Sequence, residues 1–313
     1  MYESAALPNP CAVNLAPIRA LIRFPVRFGL ALIGAFLAGR PLEARAEDKT
    51  VGATSSGAAS QNASLSGERP QTGKPYAVPN VGIALVPVPA GTFTMGSPVF
   101  EIGHRRDEAA HPVTLSKPFW LGRTPVTQAQ YTAVMGSNPA HFKGDDLPVE
   151  SVSWEEAMAF CRKLTERERA AGRLPEGYAY TLPTEAQREY ACRAGTTERY
   201  AGNLDAIAWY SGNSDEQNHP VAQKQPNAWG LYDMQGNVWE WCRDWYDDYP
   251  GGSATDPTGP ASGNDRVYRG GAWFHSADLC RSAYRYHMEP GGRGSLLGFR
   301  VALSPVPAPD PKM

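Results

Sequence analysis

The amino-acid sequence predicts an α+β domain of short helices and strands that is rich in irregular structure. Its 313 residues include 31 glycines and 28 prolines, close to a fifth of the chain, and these residues interrupt regular elements. Eight tryptophans supply large apolar anchors for segments that lack regular structure. Capping signals mark only three helices, and the other apolar segments are short and extended. Hydrophobic residues make up 42% of the chain, which is enough for a full core.

Three helices are predicted from N-terminal capping boxes. In such a box a hydroxyl side chain accepts a hydrogen bond from the amide three residues later, where a Glu or Gln side chain reaches back to the cap. The expected caps are Thr127, Ser153 and Thr184, and the expected C-terminal stops are Gly136, Gly172 and Gly195. In the second helix apolar residues recur at helical spacing, which places Cys161 on its inner face.

Short extended segments bounded by Gly, Pro and Asn predict the strands. They cover residues 83–88, 92–95, 111–115, 119–121 and 299–302. No long periodic segment occurs between Gly195 and Gly298, yet six tryptophans lie there: Trp209, Trp229, Trp239, Trp241, Trp245 and Trp273. Tryptophans in such numbers are too apolar for a solvated loop. We therefore expect this half to be compact but irregular.

The first 46 residues have the parts of a secretory signal peptide. An uncharged apolar run covers residues 28–39, preceded by arginines at positions 19, 23 and 27 and followed by the small-x-small site Ala44–Ala46. The run is shorter than the roughly 20 residues that a membrane-spanning helix needs. We expect cleavage after Ala46 and export to the periplasm or the exterior. The alternative is an ordinary buried helix.

The composition then sets the domain boundaries. Residues 47–79 are rich in Ser, Gly, Ala and Thr and predict a flexible linker, and residues 305–313 predict a proline-rich tail, which leaves a folded domain at 80–304. The formal net charge of -2, without basic runs, argues against a nucleic-acid partner. No membrane span is expected after signal removal, and the partner is an unidentified protein or small molecule.

Seven motifs in series resemble the formylglycine-generating enzyme family, also called sulfatase-modifying factors. They are VPAGTFTMGS (88–97), HPVTLSKPFWLGRTPVTQAQY (111–131), PVESVSWEEAMAFC (148–161), LPTEAQREYACRAG (182–195), PNAWGLYDMQGNVWEWCRDWY (226–246), RVYRGGAW (266–273) and LGFRVA (297–302). The resemblance covers nearly all of residues 80–304. It implies a variant of the C-type-lectin-like fold.

The catalytic segment of the family is altered here. The resemblance implies two reactive cysteines, five positions apart after an RGGS motif, that hold Cu(I). This chain has RGGAWFHSADLCRSAYR, with Ala272 at the serine and His275 at the first cysteine. Counting forward places Cys280 on the second cysteine, whereas counting back from the RSAYR and LGFR motifs places it on neither. His275 and Cys280 are the candidate catalytic residues, and copper is doubtful because neither register restores a thiolate pair.

The DMQGNVWEW segment matches a structural calcium site of the family. Its positions are Asp233, Gly236, Val238 and Glu240. Two carboxylates and two main-chain carbonyls are oxygen donors of the kind that Ca²⁺ takes. The alternative is that Asp233 and Glu240 hold an irregular loop through hydrogen bonds without a metal.

Four cysteines follow the predicted signal peptide: Cys161, Cys192, Cys242 and Cys280. In an oxidising compartment they predict two disulfides, whose pairing the spacing does not fix. One pairing joins Cys242 to Cys280 and Cys161 to Cys192, and a rival joins Cys192 to Cys280. A disulfide-bonded Cys280 would be no nucleophile.

Two further groups of charged residues have structural interpretations. His104, Asp107, Glu108 and His111 have a spacing that suits a cation, but a solvated charged turn is favoured. The arginines at positions 281, 285 and 300 are expected to pair with acids inside the fold.

The sequence thus predicts an exported accessory or tailoring (maturation) factor of this family, acting oxidatively on a protein or small molecule although the copper-binding cysteine pair is not intact. The alternative is a non-catalytic module that binds a ligand or protein on the lectin-like scaffold. An active formylglycine-generating oxidase is the least favoured interpretation, because that chemistry needs the thiolate pair. The sequence does not decide whether the chain is an enzyme, since function depends on the site and not the fold.

Overall fold

All three predicted helices begin at their capping boxes. The computed structural model describes residues 69–305; the predicted signal peptide, residues 47–68 of the linker and residues 306–313 lie outside the described residues. In each box the cap hydroxyl accepts from the third helical amide and the Gln or Glu side chain bonds back. The helices are α1 (Gln128–Met135), α2 (Trp154–Ala170), α3 (Glu185–Arg193) and the single turn α4 (Leu204–Ile207).

Twelve short strands are present in the described residues. They are β1 (Tyr76–Val78), β2 (Ile83–Val88), β3 (Gly91–Met95), β4 (His111–Leu115), β5 (Phe119–Gly122), β6 (Tyr178–Thr181), β7 (Trp239–Trp245), β8 (Ala254–Thr255), β9 (Arg266–Arg269), β10 (Arg285–Met288), β11 (Leu297–Phe299) and β12 (Ala302–Pro305). Two 3₁₀ turns add Arg106–Glu108 and Ala277–Cys280. The class is therefore α+β, as predicted.

The strands form three small sheets. An antiparallel sheet has the order β1-β2-β5-β12-β6, so the last strand of the domain lies between β5 and β6. A second sheet has the order β10-β9-β7-β11, with β11 parallel to β7, and a third has the order β3-β4-β8. No helix within residues 69–305 is long and apolar enough to cross a membrane.

Both predicted domain boundaries need adjustment. β1 lies inside the predicted linker and pairs with β2, and its Tyr76 and Val78 are buried. Because β1 pairs with β2, the domain begins before residue 80. Three residues are too few to show a strand period, which is why the sequence did not reveal β1. The predicted strand 299–302 is instead the end of β11 and the start of β12, and Pro305 of the predicted tail ends β12.

The half of the domain after Gly195 is irregular but well anchored, as predicted. Trp239, Trp241 and Trp273 are buried, and the other three tryptophans are half-buried. The indole of Trp241 donates to the carbonyl of Val152 at 3.0 Å, which ties this half to the start of α2. In α2, Cys161 is fully buried on the inner face, which confirms its predicted position.

Buried arginine–carboxylate pairs link the elements. Arg300 binds Glu240 of β7, Arg285 binds Glu185 of α3, and Arg281 binds Glu108. The predicted pairing of these three arginines with acids inside the fold is confirmed. The other buried arginines of this network are Arg188, Arg193 and Arg269, which bind Glu240, Glu189 and both α3 carboxylates, respectively.

Candidate functional site

The loop that corresponds to the family's catalytic segment is tightly packed around Cys280. Gly270 and Gly271 both have positive φ, 107° and 78°. A Cβ on Gly271 would overlap Cys280 Sγ and lie 2.9 Å from its Cα. Ala272 and Cys280 are both fully buried. The backbone of Gly271 therefore packs directly against the buried thiol.

The environment of Cys280 opposes formation of a thiolate. Its carbonyl accepts a hydrogen bond of 2.6 Å from the side-chain amide of Gln235, and this bond holds the end of the 3₁₀ turn. Burial, with a smaller contribution from Cys192, raises the pKa of Cys280 to about 12. The thiolate is the nucleophile and the metal ligand, so this environment disfavours the reactive form of Cys280 at neutral pH.

His275 is half-buried and is held by Trp239. The indole N–H of Trp239 lies 3.2 Å from His275 Nδ1. An indole nitrogen can only donate, so Nδ1 is the acceptor and Nε2 carries the proton in the neutral ring. Burial lowers the pKa of His275 to about 4, which leaves the ring uncharged at pH 7.

These residues do not fit the Cu(I) site of the family. A dithiolate site needs two ionised sulfurs, whereas this loop has one neutral buried thiol and one imidazole whose Nδ1 accepts from an indole. No cluster of three or more His, Cys, Asp or Glu residues with metal-binding geometry occurs in residues 69–305.

The predicted calcium ligands are only partly suited to a cation. Both oxygens of Glu240 accept from Arg300, and one also accepts from Arg188. Burial alone would raise the pKa of Glu240, but these two guanidiniums outweigh it and lower the pKa. The charge of Glu240 is thus already neutralised, which corresponds to the alternative of a metal-free loop.

Asp233 is the better cation ligand of the two carboxylates. It is buried, and one oxygen accepts from the amide of Ala222 at 2.8 Å, while the other has only a long contact of 3.4 Å with the Asn237 amide. Burial raises its pKa. Gly236 has a positive φ, and a Cβ there would overlap the carbonyl of Trp209. Calcium at these positions stays a prediction.

Comparison with known proteins assigns nearly all of the described residues to one family. A family model described as the Sulfatase-modifying factor enzyme 1-like domain matches residues 75–305. The chain belongs to this family. Treponema denticola variable protein 1 has a solved structure with 35% identity, a TM-score of 0.66, and coverage of 74% of this chain and 98% of that one. PvdO from Pseudomonas aeruginosa gives 28% identity, a TM-score of 0.66, and coverage of 75% and 99%.

Curated relatives of this family domain carry different names. The chaperone protein LppX of Paenibacillus barcinonensis is 32% identical over 239 residues, covering 61% of this chain and 82% of the relative. The formylglycine-generating enzyme of Mus musculus is 33% identical over 221 residues, covering 64% of this chain and 55% of the enzyme. The chain thus spans about half the length of the mouse enzyme. The predicted family membership and fold are confirmed.

The predicted disulfides are absent from the family domain, because the four described cysteines are free and buried. Cys161 lies in the core between α2 and the five-stranded sheet, whereas Cys192 lies in a second core beneath α3. Cys192 Sγ faces the Met234 carbonyl and the Ser282 hydroxyl, and Cys242 Sγ faces the carbonyl of Glu240. Cys192 lies near enough to Cys280 to contribute to its raised pKa, but both thiols are free. Spacing in sequence could not reveal these surroundings.

We expect all four thiols to resist alkylation in the native state. Burial raises the pKa of Cys161, Cys242 and Cys280, so iodoacetamide at pH 8 should leave the four sites unmodified, as judged by peptide mass spectrometry. In guanidinium chloride without reductant the same sites should all be modified. Protection that persists in denaturant and disappears with reductant would restore the disulfides, and rapid native alkylation of Cys280 would contradict its burial.

The charged turn near the start of the domain was predicted to be solvated, and that prediction is wrong for Glu108 and His111. Glu108 is fully buried and is bound by both terminal nitrogens of Arg281 at 2.7 Å, and His111 is only 8% exposed. Ser97 Oγ donates to Glu108 and contacts His104 Nδ1 at 2.8 Å. The sequence prediction failed because the neutralising arginine lies 173 residues away.

The same turn presents an exposed apolar loop. Val99, Phe100 and Ile102 are 84%, 86% and 77% exposed, respectively. Between them Glu101 accepts from Arg281 at 2.9 Å, and the carbonyl of Gly103 accepts from the same guanidinium at 2.6 Å. The loop is therefore fixed at its polar positions while its large apolar side chains face solvent. We call residues 99–102 the apolar loop.

Proposed function

We propose that the protein is an exported accessory factor that binds a client polypeptide, and that its His275–Cys280 loop carries out no copper-dependent oxidation. The exposed apolar loop carries the binding role, and the burial of Cys280 argues against copper chemistry. The predicted signal peptide supports export. The proposal keeps the accessory role that the sequence predicts and replaces the oxidative chemistry with binding.

The small ionised fraction of Cys280 supports the absence of copper-dependent oxidation. A thiol with a pKa of about 12 is ionised at pH 7 in a fraction on the order of 10⁻⁵ of molecules. A metal that bound there would have to displace the proton from a buried sulfur, with His275 as its only other ligand from this loop. Two ligands rarely make a tight site.

The apolar loop supports binding of a polypeptide. Large apolar side chains that are more than three-quarters exposed on a held loop are typical of interaction surfaces. Phe274, beside His275 in the altered segment, is 60% exposed and adds a second apolar contact point. One relative, LppX, is named a chaperone protein, and binding of a client polypeptide agrees with that name.

The test uses a permanently unfolded polypeptide, reduced and carboxymethylated α-lactalbumin, as the probe. We expect the wild-type protein to bind it and a Phe100→Ser/Ile102→Ser variant to bind at least tenfold more weakly by fluorescence anisotropy. Glu176→Ser, at an exposed site with no such apolar neighbours, should bind as the wild type does. Equal binding by the wild-type and loop variants, or none by either, would refute the client role.

A second measurement addresses the oxidative alternative. The protein, supplied with Cu(I) and a peptide containing Cys-x-Pro-x-Arg, should form no aldehyde detectable by mass spectrometry, and His275→Ala should not change this result. Aldehyde that forms in the wild type and disappears in Cys280→Ser would restore the oxidase interpretation.

A further inference from the structure

A cavity of about 360 Å³ is lined by residues that do not belong to the altered His275–Cys280 loop. The start of α3, the end of β7 and the segment 247–260 enclose it. Its polar lining includes Glu185, Asp244, Asp248, Tyr249, His111 and Arg285. Neither His275 nor Cys280 contributes to it.

The positive charge in this cavity is already engaged. Arg285 donates to both oxygens of Glu185, at 2.8 and 2.6 Å, and to the carbonyls of Asp107 and Asp247, at 3.2 and 2.8 Å. The hydroxyl of Tyr249 also contacts Glu185, at 3.2 Å. These donors are turned toward the protein, so they have little capacity left for a ligand.

The remaining hydrogen-bonding capacity belongs to acceptors. Asp244 is only 4% exposed, and its Oδ2 accepts from the amide of Glu185 at 3.0 Å, whereas its Oδ1 has no hydrogen-bond partner within residues 69–305. His111 Nδ1 must donate to the carbonyl of Ala109, 2.9 Å away, which leaves Nε2 as an acceptor. The exposed carboxylate of Asp248 also lines the cavity.

The rest of the lining is mostly apolar. It includes Met95, Ala186, Pro257 and Pro260. Four carboxyl side chains line the cavity against one guanidinium: Glu185, Asp244, Asp247 and Asp248 against Arg285. A ligand that satisfies this surface carries a positive charge, N–H donors and a short apolar chain.

We propose that this cavity binds a small organic cation, a primary ammonium on a short alkyl chain, with its nitrogen at Asp244 Oδ1. The apolar chain packs against Met95 and the prolines. The ammonium supplies the donors that Asp244 lacks. The ammonium pairs with a carboxylate that otherwise accepts a hydrogen bond from the Glu185 amide.

The proposal has a pH signature. Burial, then the nearby charge of Glu185, raises the pKa of Asp244 to about 7, against the opposing effects of Arg243 and Arg285. Arg266 also lies close enough to interact with Asp244, and His111 faces the same cavity. A bound ammonium favours the ionised carboxylate, so binding at pH 6 releases a proton and affinity falls as the pH drops from 8 to 6.

Calorimetry with n-butylammonium tests the site in the full chain. We expect saturable binding at pH 8, at least tenfold weaker binding at pH 6, and a binding enthalpy at pH 6 that depends on the buffer's ionisation enthalpy. Neutral 1-butanol and anionic butyrate should not bind. Asp244→Asn, which keeps an oxygen to accept from the Glu185 amide, should weaken binding at least tenfold. Asp248→Asn, at an exposed lining residue, should weaken binding less than tenfold.

The controls separate this proposal from the others. Glu176→Gln removes an exposed carboxyl outside the cavity and should leave binding unchanged. Unchanged affinity in Asp244→Asn, preference for butyrate, or no binding at pH 8 would each overturn the proposal. Because the client test uses the apolar loop, failure of either proposal leaves the other measurable.

Discussion

Glu240→Gln is expected to lower the free energy of unfolding by about 3–5 kcal/mol, the usual cost of breaking a buried ion pair from one side. Glu240 is fully buried and is the common acceptor of Arg188 and Arg300. Removing its charge leaves two buried guanidiniums without their counterion. Since domains of this size are stable by only about 5–15 kcal/mol, the loss should appear as a large shift of the urea midpoint.

The matched control is an arginine–glutamate ion pair at the surface. Arg293 binds Glu156 at 2.9 Å, but the two side chains are 53% and 36% exposed. Arg293→Met should leave the midpoint unchanged within error, because solvent already screens that pair. A similar midpoint shift in Glu240→Gln and Arg293→Met would show that burial of Glu240 is not what makes its pairing important.

The same variant tests the calcium prediction. If Glu240 serves only the two arginines, added Ca²⁺ should raise the melting temperature equally in wild type and Glu240→Gln, or in neither. If Glu240 is a calcium ligand, the wild type should gain stability with Ca²⁺ and the variant should lose that gain. Asp233→Asn completes the set, because Asp233 is the buried carboxylate with spare acceptor capacity.

Features that depend on residues close together in sequence were predicted well. Each capping box joins residues three apart, so Thr127, Ser153 and Thr184 marked the helix starts without any knowledge of tertiary structure. Burial of the aromatic residues after Gly195 was also predictable, because tryptophans need an apolar environment wherever the chain runs. The motif series then indicated the fold.

Features that depend on distant partners were not predictable in the same way. Glu108 has the composition of a solvated turn until Arg281 arrives from the other end of the domain. Cys161 and Cys192 are suitable disulfide partners by compartment, yet the fold places them in different cores. Asp244 lies within the motif 226–246, but nothing in that motif marked it as a binding residue, and only the cavity lined by segment 247–260 makes it a candidate.

The spatial position of Cys280 leads to the second large effect. We expect Gly271→Ala to destabilise the domain by about 2–5 kcal/mol: about 1–2 for a side chain at positive φ and about 1–3 for overpacking. The new Cβ would overlap Cys280 Sγ and lie 3.1 Å from the carbonyl of Leu279. Gly172→Ala, at φ 71° with nothing within 4 Å, should show the backbone cost alone.

A double variant separates the thiol from the backbone in this effect. Cys280→Ala in the Gly271→Ala background removes the overlapping sulfur but not Cys280 Cα, so stability should recover in part, with a coupling of about 1 kcal/mol or more between the two sites in urea unfolding. Additive effects, or a Gly271→Ala protein as stable as Gly172→Ala, would mean that the loop is open above the sulfur. An open loop would return Cys280 to the role of a reactive residue, whereas the expected coupling places its sulfur directly beneath the backbone of Gly271.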